Sequence, residues 1–499
     1  MSSPCVSSSH LKNKSDYKLS SPPLLSDLPL REIPGSYGLP FFGAIKDRWD
    51  YFYVQGEDQF FRSRMEKYNS TVFRVNMPPG PWISHDSRVI VLLDGNSFPV
   101  LFDTFKVEKR DVLTGTYMPS TSFTGGYRVC AYLDPSEPAH ASLKSLLLSF
   151  LTSKHEEIVP LYKSCLKGMF DELEDQLRGK GRAEFGPPND VVSLEFVFRL
   201  FCDGKSPLDT KLESKGPSMF KKWLICQLAP LKTLGLSKLL IPIDDFILHS
   251  IRLPFFLVKG DYKRLYDAFY SSATSYLDKA ESFGISREEA CHNLVFIAGF
   301  NAFGGFLRWF PLFIKWVASG GETLHRELAK EIRAAVRCEG GVTLNAINKM
   351  TLTKSVVYEA LRIEPPVLYQ YGLAKDDLMI HSHDAAFKIK KGEMIFGYQP
   401  FATKDPKIFH NPDKFIGNRF VGEKGEKLLK YVLWSNGRGI DDPTMDNKQC
   451  PGKNLVELLS RFFLVEFFLR YDTFSVEIGT LLSDTTVTFL SLKKATTSA

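Results

Sequence analysis

Three short runs in the C-terminal part of the chain carry residue types suited to chemistry. Glu359-Ala360-Leu361-Arg362 sets a carboxylate and a guanidinium three residues apart, on one face of a helix predicted over Thr351–Ile363. Thr351 is the expected N-cap of that helix, and Pro365-Pro366 stops it. A Glu-x-x-Arg is most often a surface ion pair, but Val356, Val357 and Leu361 make this helix apolar enough to bury one. Asn418-Arg419-Phe420 supplies a second guanidinium, whose planar fork can complete a Glu359–Arg362–Arg419 lock. Asn447-Lys448-Gln449-Cys450-Pro451-Gly452 then sets a cysteine on the turn entering a helix predicted over Lys453–Arg470. Amides and dipole at a helix N-terminus favour a thiolate there. Such a thiolate is a good axial ligand for haem iron and pushes electron density onto a bound oxygen. Gly452 lets the backbone lie close to a porphyrin face. An ordinary buried cysteine is the competing reading of Cys450 alone; the three runs in this order outweigh it.

The elements that must position these residues are mostly helical. Apolar residues recur at helical spacing from about Ala139 to Asn345, with loops predicted over 179–189 and 203–215. A helix is predicted over Tyr51–Tyr68, and strands over 71–76, 89–93, 386–389, 394–398 and 486–490. The apolar run Leu294–Leu307 is interrupted by Asn301, Gly304 and Gly305 and ended by Arg308, so it reads as a buried central helix and not as a membrane span. Ser286-Arg287-Glu288-Glu289 is a capping box at its start. Length alone suggests two or three domains, but Glu359, Arg419 and Cys450 must meet around one cofactor. The expectation is therefore one domain over 27–499, mostly α with small β-sheets, preceded by a disordered Ser-rich tail over 1–26.

Composition narrows the function. Among 499 residues, 44% hydrophobic and 24% charged is an ordinary globular balance, which excludes a mainly disordered, collagen-like or coiled-coil chain. Forty Phe residues can build a large core and line a roomy apolar pocket. The net charge of +6 comes without a Lys/Arg and aromatic cluster, so no nucleic-acid partner is expected; an anionic small molecule or an acidic membrane surface fits. Eight scattered cysteines with no CxxC point to reduced thiols in a non-secreted compartment. No dinucleotide, Walker, serine-hydrolase or zinc-protease motif is present, and His381-Ser382-His383-Asp384 reads as a polar loop before it reads as a metal site.

The order of Glu-x-x-Arg, Arg-Phe and Cys-x-Gly resembles the haem-thiolate cytochrome P-450 superfamily. From about Leu28 to Thr497 the chain resembles, more closely, the plant family of fatty acid hydroperoxide-metabolising enzymes: allene oxide synthases, hydroperoxide lyases and divinyl ether synthases. Runs such as Arg31-Glu-Ile-Pro-Gly-Ser-Tyr-Gly, Gly115-Thr-Tyr-Met-Pro-Ser, Phe300-Asn-Ala-Phe-Gly-Gly305 and Gly397-Tyr-Gln-Pro-Phe-Ala-Thr-Lys-Asp-Pro carry the resemblance.

The resemblance implies a single-domain haem-thiolate P-450 fold and haem b held by Cys450. His140 and Lys144, four apart on one helical face, and Lys448 are implied haem-binding residues, against the plainer reading of a solvated helix face. Monooxygenases of the superfamily carry an acid and a Thr in the central helix; here Asn301 stands in their place. That implies a substrate already holding an O–O bond, with no dioxygen, NADPH or reductase, and with Asn301 holding the peroxide. A mid-helix Asn bonded to a backbone carbonyl is the alternative. The implied activity is lyase cleavage of 9- and 13-hydroperoxides of linoleic and linolenic acid into an aldehyde and an oxo-acid. Leu113, where allene oxide synthases carry Phe, points that way, although Leu also occurs in relatives that make allene oxides. Phe303, Val367 and Leu368 are the implied pocket residues. Allene oxide, divinyl ether or epoxyalcohol synthesis, a reductase-dependent monooxygenase and a non-catalytic haem or lipid binder are the other readings. The compartment stays open between cytoplasm, a peripheral membrane or lipid-body surface, and plastid. Departures from the family pattern fall at Phe306–Trp309, Val367–Tyr369, Asn418 and Gly439–Asp441, the last two expected to weaken the haem surroundings.

Overall fold

Helices dominate the computed structural model, which describes residues 28–481 and 484–496. The tail expected over 1–26 lies outside the described residues. The long helical stretch resolves into successive helices, among them Pro138–Ser153, His155–Lys180, Gly186–Phe201, Ile241–His249 and Gly321–Cys338. The loop predicted over 179–189 is mostly consumed by helix ends, because Pro187 and Pro188 sit in the first turn of Gly186–Phe201, where a missing N–H costs nothing. The predicted helix Tyr51–Tyr68 is broken: a π-turn over Asp50–Val54 ends at Gln55, and Gly56, at φ 76°, restarts the chain as Glu57–Tyr68.

The central helix runs from Arg287 to Ser319. It opens on Ser286, whose hydroxyl accepts the Glu289 amide at 3.2 Å, and every residue from Ala290 to Phe296 is buried. Its middle widens into a π-helical segment, Ile297–Phe303, before α-helix resumes at Gly304. The Trp309 indole donates to the Ser460 hydroxyl at 2.7 Å, which ties this helix to the cysteine-bearing helix Lys453–Arg470. Phenylalanines fill the seam between the two: Phe306 meets Phe310, Phe310 meets Phe463, and Phe463 stacks on Phe467, with ring centroids 5.5–6.0 Å apart. Much of the Phe excess is thus structural.

The sheets are small and peripheral. The largest has the order Val72–Asn76, Arg88–Leu92, Met394–Tyr398, Tyr369–Ala374, Val107–Glu108. Arg88–Leu92 and Met394–Tyr398 pair in parallel, and the other neighbours are antiparallel. Leu30–Arg31, Ala386–Ile389 and Leu378–His381 form a second sheet. The hairpin Tyr471–Leu481 with Asp484–Lys494, extended by Ala183–Glu184, forms a third. A two-stranded ribbon, Leu433–Trp434 with Gly437–Arg438, precedes the cysteine turn.

Candidate active site

The helix Thr351–Ile363 has the predicted bounds but not the predicted cap. Met350 is the capping residue, and the free amides of Leu352 and Thr353 donate instead to the Glu331 carboxylate of the neighbouring helix at 2.7 and 2.8 Å. The carboxylate does the work of an N-cap from outside the segment.

Glu359 and Arg362 are fully buried and form the lock in full. Arg362 grips both carboxylate oxygens at 2.7 and 2.8 Å, and Arg419 Nε lies 2.9 Å from each. The remaining guanidinium hydrogens are taken by backbone carbonyls of Thr403, Pro412, Lys414, His410 and Asn411. The Phe409 ring lies 5.0 Å from the Arg362 guanidinium carbon. Asn418 disturbs none of this; its carbonyl accepts the Val421 amide in an ordinary turn. Gly439–Asp441 likewise closes a regular turn, with Asp441 accepting the Arg438 amide at 3.0 Å. The Glu359–Arg362–Arg419 lock is complete with both departures in place.

Cys450 sits three residues before Lys453, the first residue of the helix Lys453–Arg470, with its amide on Ser435 O at 3.1 Å. Burial pushes its thiol up; the Gly452 amide, the Trp434 indole and Lys144 pull it down. The helix entrance therefore helps the thiolate without outweighing burial, and coordination to a metal would complete the deprotonation. A side-chain carbon added at Gly452 would lie 3.7 Å from the sulfur and meet nothing else within 4 Å, so the backbone leaves room over that face.

Lys144 acts on the sulfur, Lys448 lies near Lys144, and Lys109 lies near Lys448. Lys144 donates to the Asn447 carbonyl and side chain. Lys448 donates to the carbonyls of Cys130, Ala131 and Leu133. Lys109, which the sequence did not single out, donates to Asn436 at 2.5 Å. None of the three has a carboxylate partner among the described residues. Burial draws Lys109 down to about 7 and Lys144 and Lys448 to about 8. His140 is buried beside them, held neutral by burial and the neighbouring lysines at a pKa of about 4, with Nδ1 unpartnered. Neither His140 nor Lys144 lies on a solvated helix face. A thiolate donor flanked by buried lysines without counter-ions fits an iron porphyrin with two carboxylates, so the donor set suits haem b.

Asn301 lies in the π-helical segment, is exposed, and makes no side-chain hydrogen bond among the described residues. It does not bridge to a carbonyl of its own helix. Gly305, one turn on, faces open space. Leu113, Ile297, Phe300, Ala302 and Cys450 are each half-buried against the large helical core. Leu113 is placed by Gly115, where any side chain would collide with the Tyr371 ring at 1.7 Å. Val367 and Leu368 are half-buried between the lock helix and the strand Tyr369–Ala374. Phe303 is a correction: it is fully buried with its ring 5.7 Å from Phe220, and does not line the space Asn301 faces. Two residues apart on the π-helical segment, Asn301 is exposed and Phe303 buried, so the two side chains face different surroundings. Phe306 is buried too, and Phe300 is half-buried. Arg308 is engaged by Asp484 at 3.3 Å, a carboxylate also 3.2 Å from Lys232.

His383 belongs to a hydrogen-bonded clasp. Its Nε2 is 2.6 Å from Asp405 and its Nδ1 3.0 Å from Asn96. Asp94, His383 and Asp405 cluster closely enough for a cation, but each carboxylate is committed to protein donors.

A buried Glu–Arg–Arg lock and a cysteine at a helix entrance, within a helical fold edged by small sheets, define a haem-thiolate protein of the cytochrome P-450 class. The sequence model of the Cytochrome P450 family matches residues 321–494. Allene oxide synthase 3 of Solanum lycopersicum is 54% identical over 472 residues, covering 95% of this chain and 96% of that one. The chloroplastic allene oxide synthase of Arabidopsis thaliana is 54% identical over 470 residues, 94% of this chain and 90% of that one. A divinyl ether synthase of Solanum lycopersicum is 50% identical over 473 residues, 94% and 98% of the two chains. The chain belongs to the plant fatty acid hydroperoxide-metabolising family of cytochromes P-450, with the single-domain fold and the haem b that the class entails.

Proposed function

We propose that this chain is a fatty acid hydroperoxide lyase acting on 9- and 13-hydroperoxides of linoleic and linolenic acid, with no dioxygen, NADPH or reductase. The observation that carries the hydroperoxide reading is the free, open amide of Asn301 in the π-widened middle of the central helix. A neutral amide can donate to a peroxide oxygen and hold it in place, but it cannot relay the protons that dioxygen activation requires. Cys450 would hold haem b, with Lys144, Lys448 and Lys109 as the cations available to its carboxylates and His140 as a neutral neighbour, and the bound group would supply the ferric centre needed for homolysis of an O–O bond. Asn301 would hold the peroxide group by its amide. Phe300, Val367 and Leu368 would offer the acyl chain an apolar surface.

Leu113 supports the lyase branch. An aliphatic side chain offers no π-face to a carbon radical on the substrate, so nothing there delays return of oxygen to carbon. The lyase outcome keeps both peroxide oxygens, in a hemiacetal that falls apart to an aldehyde and an oxo-acid. An allene oxide synthase loses one oxygen as water. That second reading is supported by the 54% identity to allene oxide synthases. Anaerobic incubation of the holoprotein with separate 9- and 13-hydroperoxides, followed by mass spectrometry, tests both. Aldehyde with oxo-acid supports the lyase; ketols, the hydrolysis products of allene oxides, replace it with the synthase. Strict dependence on NADPH would overturn both. A plastid location is supported by the chloroplastic relative.

A further inference from the structure

The run Gly115–Met118, which follows Leu113 closely, forms one wall of a cavity of about 580 Å³. That volume is in the range of small-molecule sites. Ile83, Tyr117, Met118, Leu373 and Met394 give the cavity apolar surface. Its charges are almost all matched. Arg88 grips both oxygens of Asp86, at 3.0 and 2.7 Å. Asp111 is held by Arg128 at 2.8 Å, and Glu393 by Arg74 at 3.2 Å. Arg252 is the exception: it lines the same cavity and has no carboxylate partner among the described residues. His85, neutral or positive in any state, cannot balance it.

The Arg252 guanidinium is held in place but not used up. One terminal nitrogen donates to the Ile83 carbonyl at 2.8 Å, and the guanidinium carbon lies 5.8 Å from the Tyr117 ring. Tyr117 is itself fixed: it is buried, and its hydroxyl donates to the Gln227 carbonyl at 2.8 Å. Arg252 is therefore pinned at two points on the cavity wall, while its other N–H groups meet no acceptor among the described residues. Arg362 and Arg419 show the contrast, since each spends its whole fork on a carboxylate and backbone carbonyls.

The charge balance says what fits. With Asp86, Asp111 and Glu393 already paired, the cavity carries one uncompensated, oriented guanidinium. A ligand with several negative charges would find one cation and three carboxylates. A single carboxylate on an alkyl chain matches both the fork and the apolar wall.

We propose that Arg252 is a positioning residue that binds the carboxylate of a long-chain fatty acid, with the carboxyl end of the chain lying in this cavity. That the acid is a hydroperoxide rests on the proposed function. Binding is measured by calorimetry on the purified holoprotein with oleate, which has no O–O bond to react, and with methyl oleate, both below the concentrations at which they aggregate. Wild type is expected to bind oleate about tenfold more tightly than the ester, the worth of one charge-assisted hydrogen-bonded contact. Arg252→Gln is expected to bind the two alike, with its affinity for the ester unchanged. Arg252→Lys keeps the charge without the fork and is expected to recover part of the preference. Arg88→Gln, which removes the cation paired with Asp86, is expected to keep the preference for oleate. An unchanged haem spectrum shows that each variant is folded. With a fatty acid hydroperoxide as substrate, Arg252→Gln is expected to raise KM for the free acid about tenfold and leave kcat as it is, and to leave KM for the methyl ester as it is. Equal binding of oleate and methyl oleate by wild type overturns the proposal. So does an Arg252→Gln variant that binds the ester as weakly as the acid because both are lost, which would mean that Arg252 only shapes the cavity. So does a preference that survives Arg252→Gln and disappears in Arg88→Gln. Oleate binding is read without turnover, so a holoprotein that holds oleate through Arg252 and converts no hydroperoxide counts against the proposed function and leaves the carboxylate contact standing.

Discussion

Asn301 is the residue whose surroundings are most unusual for its type: a polar amide in the middle of a largely buried helix, open and without a protein partner. No other described residue engages its side chain, so the amide is free to meet a ligand. Asn301→Ala should lower kcat/KM for a hydroperoxide by about a hundredfold, as loss of a positioned donor does. The haem absorbance should stay unchanged, and the rate is read from loss of the conjugated-diene absorbance. Unchanged turnover would remove Asn301 from the mechanism. Lys109 presents the opposite case. It lies between Glu108 and Arg110 and reads in sequence as part of a solvated charge run. Only the pairing of Val107–Glu108 with Leu373 and Ala374 turns it inward, and no local signal reveals that pairing. Lys109→Met removes the buried lysine that neighbours Lys448. Haem loss to apomyoglobin should then speed up about tenfold, the worth of one charge-assisted hydrogen bond. An unaltered rate of transfer would show that Lys109 does not face the cofactor.

At the scale of elements, what was legible was what repeats locally. Thr351–Ile363 and Lys453–Arg470 came out of the sequence with their bounds intact because apolar spacing, prolines and motifs agree over each. Leu378–His381 and Tyr369–Ala374 did not, because their partners lie elsewhere in the chain and their two faces are not cleanly polar and apolar. The broken helix after Tyr51 shows a different limit: one glycine at positive φ overrode a continuous helical pattern. The missed cap is the most testable of these. Thr351 looked like the cap, yet Glu331 from a neighbouring helix holds the Leu352 and Thr353 amides and the Thr353 hydroxyl. Glu331→Ala should therefore destabilise the protein by about 1 kcal/mol, and Thr351→Ala by a few tenths, as read by chemical denaturation of the apoprotein. A larger effect at Thr351 than at Glu331 would restore the local cap.

At the scale of the whole molecule, the segment from Asp405 to Arg419 is held at both ends. Arg419 closes the lock on Glu359 in the helical core. Asp405 is gripped by His383 from the turn between Leu378–His381 and Ala386–Ile389, and by the Gly95 amide after Arg88–Leu92. The clasp thus joins two sheets to the segment that completes the lock, and its ionisation should be felt globally. Hydrogen bonding to Asp405 raises the His383 pKa, helped by Asp94 and opposed by burial and Lys407. The Asp405 carboxyl is lowered: burial pushes it up, but bonds from His383 and the Gly95 and Lys407 amides outweigh that. A raised histidine adds stability that is full below its unfolded pKa and is lost as pH rises through its folded one. A lowered carboxylate adds stability that is full above its unfolded pKa and is lost as pH falls through its folded one. The two contributions overlap between about pH 4 and 6.5, the ordinary values of the two groups. His383→Gln keeps a donor for Asp405 but cannot carry the charge. The stability of wild type should therefore exceed that of the variant by about 2 kcal/mol inside that window. The gap should narrow on either side, as read from unfolding curves of both proteins at a series of pH values. A gap that does not change with pH would mean that His383 stays neutral and that the clasp is held by hydrogen bonds alone.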